Sequence, residues 1–209
     1  MCAVPRGGRG WRRLWSRRTA TSGRWPRPSD GVAMSLPLLS DGRVSIRPIK
    51  LRDAKTIEHE LLINRDWLQR WEASNPGGFQ RSFDVRGSIR SLLQSERAGT
   101  GMPFVMELDG QFAGQLNISG ITYGSLASAS LGYWVTADTA GHGVTPTSVA
   151  LATDLCFSRG LHRLEICIRP ANAPSLRVVT QLGFRYPGLP RRSLPLHGDW
   201  RDHFAFSLS

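Results

Sequence analysis

The sequence predicts an α/β domain built on a mixed, mostly antiparallel central sheet with flanking helices. Three observations carry this. Period-two strand patterns cluster mid-chain around an Asp-Gly turn. Helical patterns precede that cluster and then alternate with further strands after it. The chain has 209 residues, 40% apolar and 21% charged, which suits one soluble domain with a sizeable core and some extra chain.

The elements follow in order. "GRVSIRPI" alternates apolar and polar residues and predicts a first strand. Asp53 is placed to cap a helix over "AKTIEHELLIN", where Ile57, Leu61 and Leu62 share a face. "RDWLQRW" adds a short helical piece, and "SFDVRGSIRSLLQSERAGTG" a second long helix that ends in glycines. Three strands come next: "PFVMEL", a turn at Asp109-Gly110, "QFAGQLNISGI", and "SASLGYWV". A helix from Thr145 follows, with Thr145 as N-cap, Pro146 at the first helical position, and Val149, Ala152 and Cys156 on one apolar face. Then come a strand "HRLEICIR", a helix "NAPSLRVVTQLG", an extended segment "FRYPGLPRRSLPL" and a closing strand "RDHFAFSLS". No internal repeat is visible.

The net charge of +11 invites a nucleic-acid reading, but its distribution weakens it. Residues 1–33 hold eight arginines and one acid, Asp30, so this segment alone contributes +7. Residues 34–209 carry only +4, which leaves the body mildly basic. The segment 1–33 is rich in Gly, Pro, Ser and Arg and is expected to be disordered by itself. It reads as a basic arm for an acidic partner, as an Arg-rich organellar leader, or as sequence upstream of the true start at Met34. The third is our expectation, with the domain spanning residues 34–209; nucleic-acid contact is expected only through residues 1–33.

Cys2, Cys156 and Cys167 are odd in number, with no CxxC and no histidine at ligand spacing. This predicts no disulfide framework and no metal site, and a reducing cytoplasm as compartment. No apolar run approaches the roughly 18 residues of a membrane helix, so no membrane partner is expected.

The stretch "TAGHGVTPTSVALATDLCFSRG" raises the functional question. Gly141 and Gly143 precede a helix. They could serve a tight turn with positive φ, or they could let the backbone approach a phosphate at the helix N-terminus. The nucleoside-triphosphate loop GxxxxGK[ST] is absent. The third glycine of a dinucleotide fingerprint is missing too, and the strand before it closes an antiparallel meander.

Four landmarks follow in order, "VSIRPIKLRDA", "GHGVT", "NAPSLRVVTQLGF" and "HGDWRDHFAFSL". From about Val44 to Ser209 they resemble the GNAT superfamily of acetyl-CoA-dependent N-acetyltransferases, closest to the ribosomal-protein-alanine (RimJ/RimL-type) group. It implies acetyl-CoA as co-substrate and no metal. The superfamily loop Gln/Arg-x-x-Gly-x-Gly/Ala falls on Ala140, Gly141, His142, Gly143, Val144 and Thr145. Gly143 is kept, Ala140 and Thr145 depart from the pattern, and Pro146 removes one N–H. The amides from Gly141 to Thr145, with His142 and Val144 between, are then expected to hold the pyrophosphate. Val135 is the implied backbone partner of pantetheine. Asn172 matches the asparagine set against the cofactor, and Ser175 the serine near the thiol.

The implied reaction is direct attack of an amine on the thioester. A strand amide around Trp134–Thr136 is the expected oxyanion donor. The tyrosine that many members use as acid is replaced by Val179, leaving Ser175 as candidate acid. Ser175 also reads as a plain helix N-terminal serine beside Pro174. For the base, the aligned glutamate position holds Leu194. Glu165 is the candidate, acting through water, with pairing to Arg163 or Arg169 as its structural alternative. Asp199 reads as a turn residue and His203 as packing beside Trp200. Trp67, Arg70, Trp71 and Glu72 are candidates for the substrate mouth, or the tryptophans are core.

Magnitudes favour one acceptor class. A protein α-amine with pKa near 7.7–8.0 is roughly a tenth neutral at pH 7. A lysine near 10.4 is neutral about 300-fold less often. A site without a strong base therefore suits an N-terminal α-amine, with a ribosomal protein as implied substrate and a monomer or homodimer as assembly. The alternatives left open are a small-molecule amine acetyltransferase, a non-catalytic acyl-CoA binder, and a nucleic-acid-associated protein using the basic arm.

Overall fold

A computed structural model describes residues 35–70, 84–186, 191–196 and 199–209. The Arg-rich segment 1–33, and with it the expectations for it, lies outside the described residues, as do Trp71 and Glu72.

The described residues open with a strand that the sequence pattern did not announce. Strand β1 (Leu39–Asp41) pairs antiparallel with β2 (Val44–Pro48), with Leu39 opposite Ile46. Three residues are too few to show alternation. The usable signal was the turn, since Asp41-Gly42 repeats the Asp-Gly dipeptide found later, and Gly42 has φ 60.

After a 3-10 turn at Leu51–Asp53 come helices α1 (Ala54–Ile63), α2 (Arg65–Leu68) and α3 (Val85–Arg97). Helix α1 begins where expected, but Asp53 does not cap it. Its carboxylate turns back to accept the Lys50 amide (2.7 Å) and to pair with Arg47 (2.8 Å). Arg47 also holds Glu107 at 2.6 Å, so the start of α1 is fastened to β2 and its neighbour by a part-buried ion triad. Helix α3 does carry a side-chain cap, Asp84 accepting from the Gly87 amide at 2.7 Å.

Strands β3 (Gly101–Leu108), β4 (Gln111–Thr122) and β5 (Ser128–Val135) form the predicted meander. At the β3–β4 turn Asp109 and Gly110 both take left-handed φ (51 and 77), the pairing that a two-residue hairpin needs. Helix α4 (Val144–Ser158) crosses to β6 (Arg163–Ile168), which lies parallel to β5. Helix α5 (Ala173–Gln181) then leads to the hairpin β7 (Arg191–Leu196) and β8 (Asp199–Leu208). The sheet order is β1-β2-β3-β4-β5-β6-β8-β7, antiparallel everywhere except β5–β6.

Helices cover both faces, and strand alternation divides the core. Ile46, Phe104, Met106 and Leu116 pack with α4 and α5 through Val149, Cys156 and Val179. Val105 turns the other way, onto Ile57, Val85 and Ile89 of α1 and α3. Val149, Ala152 and Cys156 are fully buried, as the predicted apolar face of α4 requires. No described helix is long and apolar enough to cross a membrane.

Candidate active site

Among the described residues one strand pair, β5–β6, is parallel, and it is short. β5 and β6 are in register at Ser128↔Arg163, Ala129↔Leu164 and Ser130↔Glu165. β5 then continues to Val135 against β4, and β6 to Ile168 against β8. The two strands therefore part after Ser130 and Glu165. A gap opens between two backbone edges, each carrying polar groups that must find partners.

The end of β5 is tightly specified. The Thr136 amide donates to the Ala113 carbonyl (2.9 Å), toward β4. Strand alternation turns the peptide groups of Val135 the other way, toward the gap. The Val135 carbonyl accepts the Trp67 indole N–H at 3.0 Å, and the Ala137 amide donates to Asn64 Oδ1 at 2.8 Å. The hinge between α1 and α2 is thus pinned to the end of β5. Of the strand amides around Trp134–Thr136, that of Val135 is the one aimed into the gap. Trp67 has a defined polar role here, which neither the mouth reading nor the core reading foresaw.

The glycine loop follows. Gly141 (φ 84) and Gly143 (φ 80) both take left-handed conformations, so the turn reading is satisfied. A Cβ on either would meet no atom within 4 Å, so the loop also faces open space. Helix α4 begins two residues earlier than expected. Gly143 is the N-cap and Val144 the first helical residue, which puts Pro146 at the third position rather than the first. Proline costs nothing there, because first-turn amides have no helical acceptor. The amides of Gly143, Val144 and Thr145 sit at the positive end of the helix, without a helical acceptor. The His142 amide, expected in the cradle, instead donates to the Thr139 carbonyl at 3.3 Å.

On the α4–α5 side of the gap stands Ser175, in the first turn of α5. Its amide donates to Asn172 Oδ1 (3.2 Å), which makes Asn172 the N-cap of that helix. Its hydroxyl lies 2.5 Å from the Tyr133 hydroxyl on β5. Burial raises the Tyr133 pKa above its ordinary value, against a smaller lowering by the Ser175 bond. Sequence reasoning passed over Tyr133, which there reads as one apolar position of "LGYWV".

Glu165 is not brought to Ser175. It occupies the last paired position of β6, between the core-facing residues Leu164 and Ile166, so its side chain lies on the opposite face of the sheet. Arg163 holds it at 2.7 Å, which is its structural alternative. Val179 is fully buried and packs in the core. The side chains of Leu194, Asp199, Trp200 and His203 lie outside the described residues. Arg70 contributes through its carbonyl, which accepts from Arg169 of the β6 end. Among the described residues no cluster of metal-ligating side chains occurs.

On the face opposite Ser175, a cavity of about 490 Å³ lies between α1, α3 and β4. Its polar lining is uncharged: Ser88, Ser91, Ser95, Gln115 and Asn117. Gln115 accepts the Trp134 indole N–H (3.3 Å) and donates to Asn117 (3.2 Å).

A parted parallel strand pair, with an amide-rich helix N-terminus at its open end, is what comparison with known proteins explains. Residues 43–185 match the acetyltransferase (GNAT) domain family. The chain belongs to that family. It is an acetyl-CoA-dependent acyltransferase. Among solved structures it is similar to RimJ of Mycobacterium smegmatis in complex with CoA-disulfide, with 37% identity, a TM-score of 0.71, and coverage of 79% of this chain and 81% of that one. The ribosomal-protein-S5-alanine acetyltransferase of Vibrio fischeri is 25% identical with a TM-score of 0.73, covering 82% and 96%. The [ribosomal protein uS5]-alanine N-acetyltransferase of Escherichia coli is 25% identical over 178 residues, 82% of this chain and 90% of that protein.

The residues of the GNAT chain fit the coenzyme. Two glycines leave open space at the N-terminus of α4, whose first-turn amides have no helical acceptor, and the Val135 amide at the end of β5 points away from β4.

Proposed function

We propose that this enzyme acetylates the N-terminal α-amine of a protein, a ribosomal protein being the first candidate, in the cytoplasm. The observation that carries this is that, among the described residues, no poised base stands at the parting of the strands. Glu165, the carboxylate in register with it, is ion-paired with Arg163. A site of this kind favours an amine that is already partly neutral at pH 7, and an α-amine is so about 300-fold more often than a lysine. The likeness to two ribosomal-protein S5-alanine acetyltransferases supports a ribosomal-protein acceptor.

The roles follow from the positions. Gly141, Gly143, Val144 and Thr145 hold the pyrophosphate through their amides, and Asn172 shapes the opposite wall through its hold on α5. The Val135 amide faces the carbonyl oxygen of the thioester, where negative charge develops. The amine nitrogen attacks the carbonyl carbon, the C–N bond forms and the C–S bond breaks. Ser175 donates a hydrogen bond to the leaving sulfur. The acceptor approaches over the α1–α3 face, whose uncharged cavity suits a neutral side chain.

Thiol release with a panel of acceptors tests this. Peptides with free N-termini copied from ribosomal proteins are expected to be acetylated, and the same peptides with blocked N-termini to be inert. Turnover of polyamines or lysine side chains, with no turnover of any free N-terminus, would overturn the proposal.

A further inference from the structure

We propose that Tyr133 is a positioning residue that aims the Ser175 hydroxyl at the departing sulfur. This rests on the role given to Ser175 above. Tyr133 lies on the parted stretch of β5, three residues beyond its last pairing with β6. Ser175 opens α5, the helix that follows β6. The 2.5 Å contact between their hydroxyls bridges the two sides where the strands have separated. The backbone of Ser175 is already fixed, through its amide, by Asn172. With Tyr133 the serine is held at both ends.

Chemistry chooses the direction of the bond. A phenol, with pKa near 10, is a far stronger acid than an alkyl hydroxyl, so Tyr133 donates and Ser175 accepts. Burial raises the Tyr133 pKa, so it stays protonated through neutral and mildly alkaline pH. With one lone pair of Ser175 engaged, its own hydrogen is free to point into the gap. A serine without that donor distributes its hydroxyl hydrogen among three staggered positions and the acceptors nearby.

The proton balance is simple. As C–N forms and C–S breaks, the sulfur leaves with the bonding pair and receives the Ser175 hydrogen bond. The amine loses its proton to solvent, and the thiolate is protonated from solvent. Tyr133 gives up no proton, because a thiol near 8.5 is the stronger acid.

The test uses the full chain and an N-terminal peptide, or the best amine of the panel. With acetyl-CoA, Tyr133→Phe is expected to lower kcat about tenfold, the upper end for one neutral hydrogen bond, with KM for acetyl-CoA within about twofold. Ser175→Ala is expected to lower kcat at least as far, and the double variant no further than Ser175→Ala. A second donor, an acetyl thioester of a strongly acidic aryl thiol, needs no help in expelling its sulfur. On it Tyr133→Phe and wild type are expected to agree within about twofold. The ratio of the two rates within one variant is independent of how much of it is folded, so a merely structural role would slow both donors alike. Full kcat of Tyr133→Phe on acetyl-CoA, equal slowing on both donors, or additive losses in the double variant would each overturn the inference, even with Ser175→Ala impaired. Full activity of Ser175→Ala would instead overturn the Ser175 reading and the inference with it.

Discussion

Gly143 separates the two readings of the loop experimentally. It sits at φ 80, so any side chain there is strained, and loss of function in one variant would not tell strain from anion repulsion. A matched pair does. Asn and Asp are the non-glycine residues that best tolerate this conformation, they are nearly the same size, and no atom lies within 4 Å of the new Cβ. Gly143→Asn and Gly143→Asp therefore share their strain and differ by one negative charge. If the pyrophosphate charges lay about 5 and 8 Å from it, at an effective dielectric of about 40, that charge would cost about 2.5–3 kcal/mol, or roughly 50- to 150-fold in affinity. Titration calorimetry with acetyl-CoA is expected to show Gly143→Asp binding weaker than Gly143→Asn by that factor, with the difference shrinking as salt is added. Equal affinities for the pair would refute the anion cradle and leave the glycine as a turn residue.

Other outcomes test the frame around the site. Arg47→Met leaves Asp53 and Glu107 part-buried without their cation and is expected to cost about 2–3 kcal/mol, seen as a Tm lowered by about 5–10 °C. Burial pushes the Asp53 pKa up, but the Arg47 bond, the Lys50 amide and the nearby charges outweigh it, so the folded value lies below the ordinary 3.8. Its contribution is thus complete above about pH 4 and lost as pH falls through the lower folded value. Asp53→Asn should flatten that acid limb in a chemical-denaturation series. Gly114→Ala would place a Cβ 2.2 Å from the Trp134 carbonyl, so it should lower both the Tm and kcat by displacing the end of β5. A chain starting at Met34 is expected to keep its acetyl-CoA affinity and turnover within about twofold, which the same assays check.

Local chemistry was legible in the sequence wherever a single residue type settles a backbone state. Asp109-Gly110 fixed the β3–β4 hairpin, and the apolar spacing of Val149, Ala152 and Cys156 fixed the buried face of α4. The failures arose where two local rules competed. Asp53 was a plausible cap, but Arg47 and the Lys50 amide offer its carboxylate a stronger set of partners. Thr145 and Pro146 look like a helix start, yet a left-handed Gly143 closes the turn earlier, and proline at the third position loses no bond. β1 is too short for its period to register, and its pairing depends on a partner strand.

The gap between β5 and β6 was legible only through resemblance, because it is a place where pairing stops. Strand patterns report which face a side chain takes; they carry no signal for how far two strands stay in register. Tyr133 and Ser175 show the consequence. They are 42 residues apart, and each has a bland local reading, a strand aromatic and a helix-start serine. Only the parting of the strands brings β5 and α5 to face one another. A hydroxyl on the core-facing side of a strand still had a polar group to satisfy, and that obligation was visible from the sequence. Asking what satisfies it would have pointed to the short list of hydroxyls in the helix after β6, and so to the residue on which the chemistry of departure is proposed to turn.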